Sequence, residues 1–266
     1  MFILIITRGA TCVSDLLVRT LYIATILYCQ QPRFLQEYRT GEDKMTMTLT
    51  VLSCAPRVFE IKHFLSDVEV DHFFHLATGM KLQDSTVSGS FELGSKSSTR
   101  TSKNTWVNRE HSPIIDAVYR RAADLLHIDE ALLRRRSSDE YPDHGSSKSI
   151  AEALQLVHYD VGQEYTAHHD FGYPPTMDEY QPTRFATLLL YLNEGMVGGE
   201  TSFPRWINAE TGAQLKVKPE KGKAVLFYSF LPDGNLDDLS QHAALPVGTG
   251  EKWLTNLWIW DPIYEY

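Results

Sequence analysis

The feature that most constrains the fold is a change of period at residue 154. From there onward, short apolar segments alternate with turn-forming residues, and residues 154–159 show the two-residue alternation of a strand. Further strands are predicted over residues 165–171, 185–192, 200–203, 224–230 and 253–260, separated by turns such as Gly198-Gly199 and Asp233-Gly234. Many short strands with such turns predict a β-sandwich or jelly roll.

The part of the chain before these strands contains two predicted helices. Ser66 and Glu69 have the spacing of a capping box, in which each side chain accepts a backbone N–H of the other residue, and an amphipathic helix should follow. A second helix is predicted after Ser112, because Pro113 is tolerated in a first turn and apolar residues follow at helical spacing. Helices followed by many strands predict an α+β, mainly β fold with the helices packed on one sheet.

The first thirty residues are apolar, but Arg8, Asp15 and Arg19 interrupt them. A helix that spans a membrane needs about 20 mostly apolar residues, and every such window here contains charges. We interpret residues 1–54 as a signal anchor or a disordered extension, and residues 55–266 as one folded domain. An alternative is that residues 1–44 do not belong to the natural protein.

Charge and cysteine content exclude several functions. The net charge of -9 argues against a general nucleic-acid-binding protein, because phosphate contacts require a basic surface. Two short basic runs, residues 120–121 and 134–136, are predicted to be solvated faces. No cysteine follows Cys54, so residues 55–266 can contain neither an internal disulfide nor a cysteine nucleophile.

His168 and Asp170 are two residues apart on a predicted strand, so their side chains should leave the same face. Alone this pair is a weak signal, because a histidine beside an aspartate is commonly a hydrogen-bonded structural pair. His242, the only histidine in the last third of the chain, is a candidate third ligand. Two imidazoles and one carboxylate suit Fe(II) and leave coordination positions open, and the same set also suits zinc.

Lys252 opens the apolar strand that is predicted to end at residue 260. An ammonium group is costly to bury without a partner. The position makes chemical sense if the ammonium meets the carboxylate of a ligand inside the fold. The alternative is an exposed lysine in a turn.

Five blocks of sequence resemble, in order, the prolyl 4-hydroxylase family of Fe(II)- and 2-oxoglutarate-dependent dioxygenases. They comprise residues 158–170, 184–193, 198–204, 221–227 and 240–258. The resemblance covers about residues 56–262 and implies a double-stranded β-helix with supporting N-terminal helices. It also implies iron binding by His168, Asp170 and His242, and pairing of Lys252 with the distal carboxylate of 2-oxoglutarate.

The resemblance assigns binding roles to six further residues. Three match positions that contact the co-substrate, namely Tyr159, Thr201 and Trp258, and three match positions near the peptide groove, namely Glu152, Tyr165 and Arg184. Each has a simpler alternative, which is core or strand packing for the uncharged residues and a structural or surface charge for the other two. O2 and L-ascorbate complete the cofactors that the resemblance implies.

The predicted function is hydroxylation of peptidyl proline with release of succinate and CO2. The predicted partner is a proline-rich peptide, which is already ordered as a polyproline II helix. One alternative is the same chemistry on a free amino acid or small metabolite, and another is a non-catalytic metal-binding module. A zinc hydrolase would have no use for Lys252. The predicted compartment is the endoplasmic reticulum, with the cytoplasm as the alternative, and membrane contact is expected only if the N-terminal segment is an anchor.

Overall fold

The computed structural model describes residues 33–40, 43–86, 99–140, 147–172 and 183–261. Within these residues the chain forms two antiparallel sheets and a short separate strand pair. The larger sheet contains, in spatial order, β1 (Arg33–Thr40), β2 (Asp43–Cys54), β3 (Arg57–Lys62), β12 (Ala224–Tyr228), β8 (Arg184–Tyr191), β15 (Lys252–Trp260), β6 (Leu154–Tyr159), β5 (Lys103–Val107) and β4 (Gln83–Asp84). The smaller sheet contains β11 (Gln214–Val217), β10 (Thr201–Ile207), β13 (His242–Ala244) and β7 (Tyr165–His168), and the pair is β14 (Val247–Thr249) with β9 (Val197–Gly198).

Two helices, α1 (Asp67–Gly79) and α2 (Pro113–Leu126), cover one face of the larger sheet. The predicted capping box begins α1, since the Ser66 side chain accepts the N–H of Glu69 while the Glu69 carboxylate accepts the N–H of Ser66 at 2.8 Å. Ser112 caps α2 in front of Pro113, also as predicted. Short 3-10 turns occupy Arg109–His111, Glu130–Leu133 and Asp238–Ser240.

The larger sheet is covered on both faces. In β12, Ala224 and Leu226 belong to the core shared with the helices, whereas Val225 and Phe227 belong to the core shared with the smaller sheet. This division follows because successive side chains of a strand leave opposite faces. Seven of the eight residues of β8 are buried for the same reason. Two sheets packed face to face, with helices outside, confirm the predicted jelly-roll fold.

The basic runs that were predicted to be solvated contain two buried arginines. The Arg121 side chain is 5% exposed, and it donates hydrogen bonds of 3.0 and 2.6 Å to the Glu69 carboxylate, which joins α2 to α1. Arg136 is 4% exposed. The prediction was wrong for these two because an arginine can be buried where groups from another element satisfy it.

Two strands that precede residue 55 extend the edge of the larger sheet. β2 pairs antiparallel with β3, and its residues Met47 and Leu49 lie in the core under the helices. The sheet therefore continues across the boundary predicted between residues 54 and 55. Residues 1–32, most of the predicted N-terminal segment, lie outside the described residues. In the part of the chain that the structure describes, no helix is long and apolar enough to cross a membrane.

Candidate active site

His168, Asp170 and His242 lie together, with one potential ligand atom of each within 4.8 Å of the others. They meet because β7 and β13 are neighbours in the smaller sheet, where His168 is directly opposite His242. β7 ends at His168 and not at residue 171 as predicted. The bend that follows still turns Asp170 toward the histidines, and its two carboxylate oxygens lie 3.7 Å from Nε2 of His168 and of His242, respectively.

Backbone carbonyl groups orient both imidazoles. Nδ1 of His168 lies 2.8 Å from the Thr166 carbonyl oxygen, and Nδ1 of His242 lies 3.1 Å from the Ser240 carbonyl oxygen. A carbonyl can only accept, so each Nδ1 carries the proton and donates it. The unprotonated Nε2 atoms are therefore the ones available to a metal, in the arrangement that is usual for histidine ligands.

Two donors hold the Asp170 carboxylate. The Thr187 hydroxyl donates to its Oδ2 at 2.6 Å, and the Trp258 indole N–H donates to the same oxygen at 3.0 Å. Burial favours the neutral acid, but at the acidic pH where Asp170 titrates the protonated forms of His242 and His168, with Arg184 and the Thr187 hydrogen bond, outweigh burial and keep the pKa of Asp170 well below its ordinary value. Asp170 is therefore an ionised, oriented ligand.

Both histidines are neutral at physiological pH. Burial and the neighbouring His242 together lower the pKa of His168 to about 3, against the opposing effects of Asp170 and of the hydrogen bond to the Thr166 carbonyl group. Burial also lowers the pKa of His242, against the opposing effect of Asp170. Neutral imidazoles and an ionised carboxylate are the forms that bind a metal, so this donor set fits Fe(II).

Lys252, the first residue of β15, is completely buried. Its ammonium nitrogen has no hydrogen-bond partner among the described residues and lies 5.3 Å from the Tyr159 ring centre and 5.7 Å from that of Tyr191. Burial lowers the pKa of Lys252 to about 7, and Glu200 only partly opposes this change. A buried, unpaired ammonium fits the carboxylate of a bound ligand and excludes the alternative of an exposed turn lysine.

Gly199 lies against the stem of Lys252. Its φ of +73° lies in the left-handed region, and a Cβ added there would be 3.4 Å from Cδ of Lys252, an ordinary contact distance. The left-handed backbone, which residues other than glycine rarely adopt, is therefore what favours glycine at this position.

A small cleft adjoins the metal-type cluster, and one of its walls is the Tyr159 ring that the Lys252 ammonium faces. Tyr159, Thr201 and Trp258, the three residues assigned to the co-substrate, all line it together with His168, Asp170 and His242. Thr201 accepts a hydrogen bond of 2.7 Å from the hydroxyl of Tyr191, a buried residue to which the sequence gave no sign of function.

A wider groove of about 620 Å³ opens onto two of these ligands, His168 and Asp170. Tyr165 lines it and stacks on the His168 ring, with the ring centres 3.5 Å apart. Arg184 also lines the groove, and its guanidinium lies 3.7 Å above the Trp258 ring. Trp106, which the sequence did not single out, lines the groove with 46% of its surface exposed.

The Glu152 carboxylate holds the Arg184 side chain in place. It accepts two hydrogen bonds from the Arg184 guanidinium, at 2.6 and 3.0 Å, and a third from the Trp260 indole at 2.9 Å. Of the three residues assigned to the peptide, the structure therefore places Tyr165 and Arg184 on the groove, with Glu152 fixing the arginine.

Comparisons with known proteins agree with this geometry. Residues 154–260 match the family model of the 2OG-Fe(II) oxygenase superfamily. The Arabidopsis thaliana protein named "Probable prolyl 4-hydroxylase 8" is 33% identical over 230 residues, which are 82% of this chain and 72% of that protein. Prolyl 4-hydroxylase subunit alpha-1 of Gallus gallus is 32% identical over 217 residues, which are 79% of this chain and 37% of that subunit.

A solved structure extends the likeness to three dimensions. The viral collagen prolyl hydroxylase of Paramecium Bursaria Chlorella virus-1, in its 2OG complex, is 28% identical, and the match covers 76% of this chain and 95% of that one with a TM-score of 0.55. The segment that matches the family model contains the three clustered ligands and Lys252. The chain therefore belongs to the prolyl 4-hydroxylase family of Fe(II)- and 2-oxoglutarate-dependent dioxygenases.

Proposed function

We propose that this enzyme hydroxylates peptidyl proline and converts 2-oxoglutarate to succinate and CO2. The observation that carries the proposal is the presence of two features on either side of Tyr159, which lines the cleft at the ligand cluster and faces Lys252. One is a buried cluster of two imidazoles and a carboxylate, and the other is a buried ammonium without a partner in the described structure. The first suits Fe(II), and the second suits a dicarboxylate co-substrate.

In this proposal His168, Asp170 and His242 hold Fe(II). Bound iron, with 2-oxoglutarate and O2, supplies the oxidising chemistry that a C–H bond requires and that no side chain can provide. The protein contributes ligand orientation, through the carbonyl groups behind both imidazoles and the two donors on Asp170. It also keeps bulk water from the reacting groups, since His242 is 6% exposed.

Lys252 binds the distal carboxylate of 2-oxoglutarate. Below a pH of about 7, Lys252 is charged in the folded protein, and its buried ammonium lowers the unfolding free energy. A carboxylate bound beside the ammonium offsets this destabilisation. The Thr201 and Tyr159 side chains line the cleft beside the iron ligands, and the Tyr159 ring faces the Lys252 ammonium, so these two residues complete the proposed co-substrate site.

The groove is the proposed binding site for the peptide. An extended polyproline II segment presents proline rings and backbone carbonyl groups, and such segments dock in grooves lined by aromatic side chains. Here the aromatic side chains of Trp106, Tyr165 and Trp258 line the groove, and Arg184 supplies a donor for carbonyl groups. The relatives named as prolyl 4-hydroxylases support proline as the target.

The test is mass spectrometry of a proline-rich peptide after incubation with the enzyme, Fe(II), 2-oxoglutarate, O2 and ascorbate. We expect a gain of one oxygen on proline with an equal amount of succinate, and neither product from His242→Ala. Succinate without peptide oxidation would contradict the peptide substrate and support a small metabolite. Absence of both products from iron-loaded protein would contradict the dioxygenase reaction.

Two further parts of the proposal have separate tests. Ascorbate should sustain repeated turnover, which would appear as a progress curve that slows early when ascorbate is omitted. The endoplasmic reticulum is the proposed compartment, on the basis of the apolar first thirty residues. Imaging a C-terminal fluorescent fusion with and without residues 1–32, a deletion that leaves β1 and β2 in place, tests it, and identical cytoplasmic fluorescence from both would contradict it.

A further inference from the structure

The ligand Asp170 is held by a pair of side chains that belong to the larger sheet. Thr187 on β8 and Trp258 on β15 are directly opposite each other in the strand register. Both are buried, with 1% and 5% of their surfaces exposed. Both donate to the same oxygen, Oδ2 of Asp170, at 2.6 and 3.0 Å.

We propose that Thr187 and Trp258 are positioning residues that make Asp170 a ligand through one oxygen only. A carboxylate oxygen has two lone pairs, and these two donors occupy both on Oδ2. Oδ1 then remains as the oxygen open to a metal. A carboxylate that bound through both oxygens would take an additional coordination position, and this chemistry needs open positions for co-substrate and O2.

The Trp258 indole, one of the two donors, is held in place by Arg184, which lines the groove. The Arg184 guanidinium lies 3.7 Å above the Trp258 ring, an attractive contact between a cation and an aromatic face. The Glu152 carboxylate locks that guanidinium with two hydrogen bonds, at 2.6 and 3.0 Å. Glu152 and Arg184 thus set the direction of the Trp258 N–H, which in turn sets the rotation of the Asp170 carboxylate.

This inference rests on the metal site of the proposed function and not on the identity of the substrate. Its test therefore measures metal binding to the full chain and needs no turnover. Co(II) serves as the probe, because it is stable in air and its visible absorption depends on the number and arrangement of its ligands. Affinity is measured by competition with a coloured chelator.

The informative variants each remove one donor with little change of shape. Thr187→Val replaces the hydroxyl by a methyl group, and Trp258→Phe removes the indole N–H. We expect each to weaken Co(II) binding roughly 10- to 100-fold, the usual cost of losing a group that orients a metal ligand, and to change the Co(II) spectrum. Thr187→Ser, which restores the hydroxyl, should return both affinity and spectrum toward those of the wild type.

Trp106→Phe is the matched control for the tryptophan variant. Trp106 lines the groove with its ring centre 6.0 Å from that of Trp258, and it is half exposed. It should bind Co(II) within about twofold of wild type, since orientation of Asp170 depends on direct donors. Circular dichroism establishes that each variant is folded, and Thr187→Val alone decides the question if Trp258→Phe fails to fold.

Two negative results are distinguishable. Wild-type affinity and an unchanged spectrum in folded Thr187→Val would overturn the positioning role and leave the metal site intact. Failure of the wild-type protein to bind Co(II) at all would overturn the metal site, and with it the proposed function.

Discussion

Replacing Lys252 by methionine should stabilise the protein while removing its response to 2-oxoglutarate. Methionine occupies a similar volume without a charge. In the absence of co-substrate, the wild-type ammonium is buried without a hydrogen-bond partner in the described structure. Burial lowers its pKa from the ordinary 10.5 to about 7 because the charged form loses its hydration.

The size of the effect follows from proton linkage. The unfolded chain retains the ordinary pKa, so between pH 7 and 10.5 it binds a proton that the folded protein does not, and stability rises with pH across that window. The resulting penalty is about 4 kcal/mol at pH 7 and about 1 kcal/mol at pH 10, since each pKa unit corresponds to about 1.4 kcal/mol. Lys252→Met removes the penalty, so its gain in unfolding free energy should be large at pH 7 and small at pH 10.

Urea unfolding at the two pH values, followed by circular dichroism, measures this gain. Lys223→Met is the matched control, because Lys223 is also buried but its ammonium lies 3.0 Å from the Glu60 carboxylate. That variant should lose stability, since it leaves a carboxylate without its partner. Added 2-oxoglutarate should raise the urea midpoint of the metal-loaded wild type and leave that of Lys252→Met unchanged. A Lys252→Met protein no more stable than wild type at pH 7, or equally stabilised at both pH values, would refute the reasoning.

Three other substitutions have defined outcomes. His242→Ala should abolish iron binding and turnover, because it removes one of three clustered ligands; iron retained at the wild-type ratio on dialysis would exclude the triad. Gly198→Ala should lower the unfolding free energy by about 1–3 kcal/mol, because φ is +77° and the new Cβ would overlap a backbone carbonyl oxygen. Gly162→Ala is the control, since its φ is +80° but its Cβ would enter open space, and it should destabilise the protein less. Equal losses of stability in thermal unfolding would contradict the overlap. Arg121→Met should lower the unfolding free energy by about 3–5 kcal/mol, the usual effect of removing one partner of a buried ion pair. Arg120→Met removes an exposed arginine and should lower it by less than about 1 kcal/mol. Similar urea midpoints for the two variants would show that burial of the ion pair contributes nothing.

Local pattern was sufficient for the two helices and for six of the fifteen strands that the structure describes, whereas the histidine-aspartate-histidine set was assigned through the family resemblance. The capping box at Ser66 and the strand β6 both occur where predicted, because each depends on residues that are neighbours in the sequence. The end of β7 was not predictable, because the bend after His168 depends on where Asp170 finds its hydrogen-bond donors. Those donors lie on β8 and β15, far along the chain.

The residues that sequence reasoning missed act through contacts between distant segments. Thr187 occupies a continuous apolar strand, where a threonine is typical for its β propensity alone. Its contact with Asp170 follows only from the packing of the two sheets. Arg121 was predicted to be solvated because its partner Glu69 is 52 residues away. No strand was predicted around Trp106, and its place on the groove follows only from the pairing of β5 with β6.

The site draws its parts from both layers of the sandwich. The two histidines belong to the smaller sheet, whereas Lys252, Thr187 and Trp258 belong to the larger one. Iron and co-substrate bound together therefore join the layers, and a ligand present at 100 times its Kd adds about 2.7 kcal/mol to the unfolding free energy. Because proteases degrade chains that unfold, we expect scarce iron to reduce the amount of the enzyme as well as its activity.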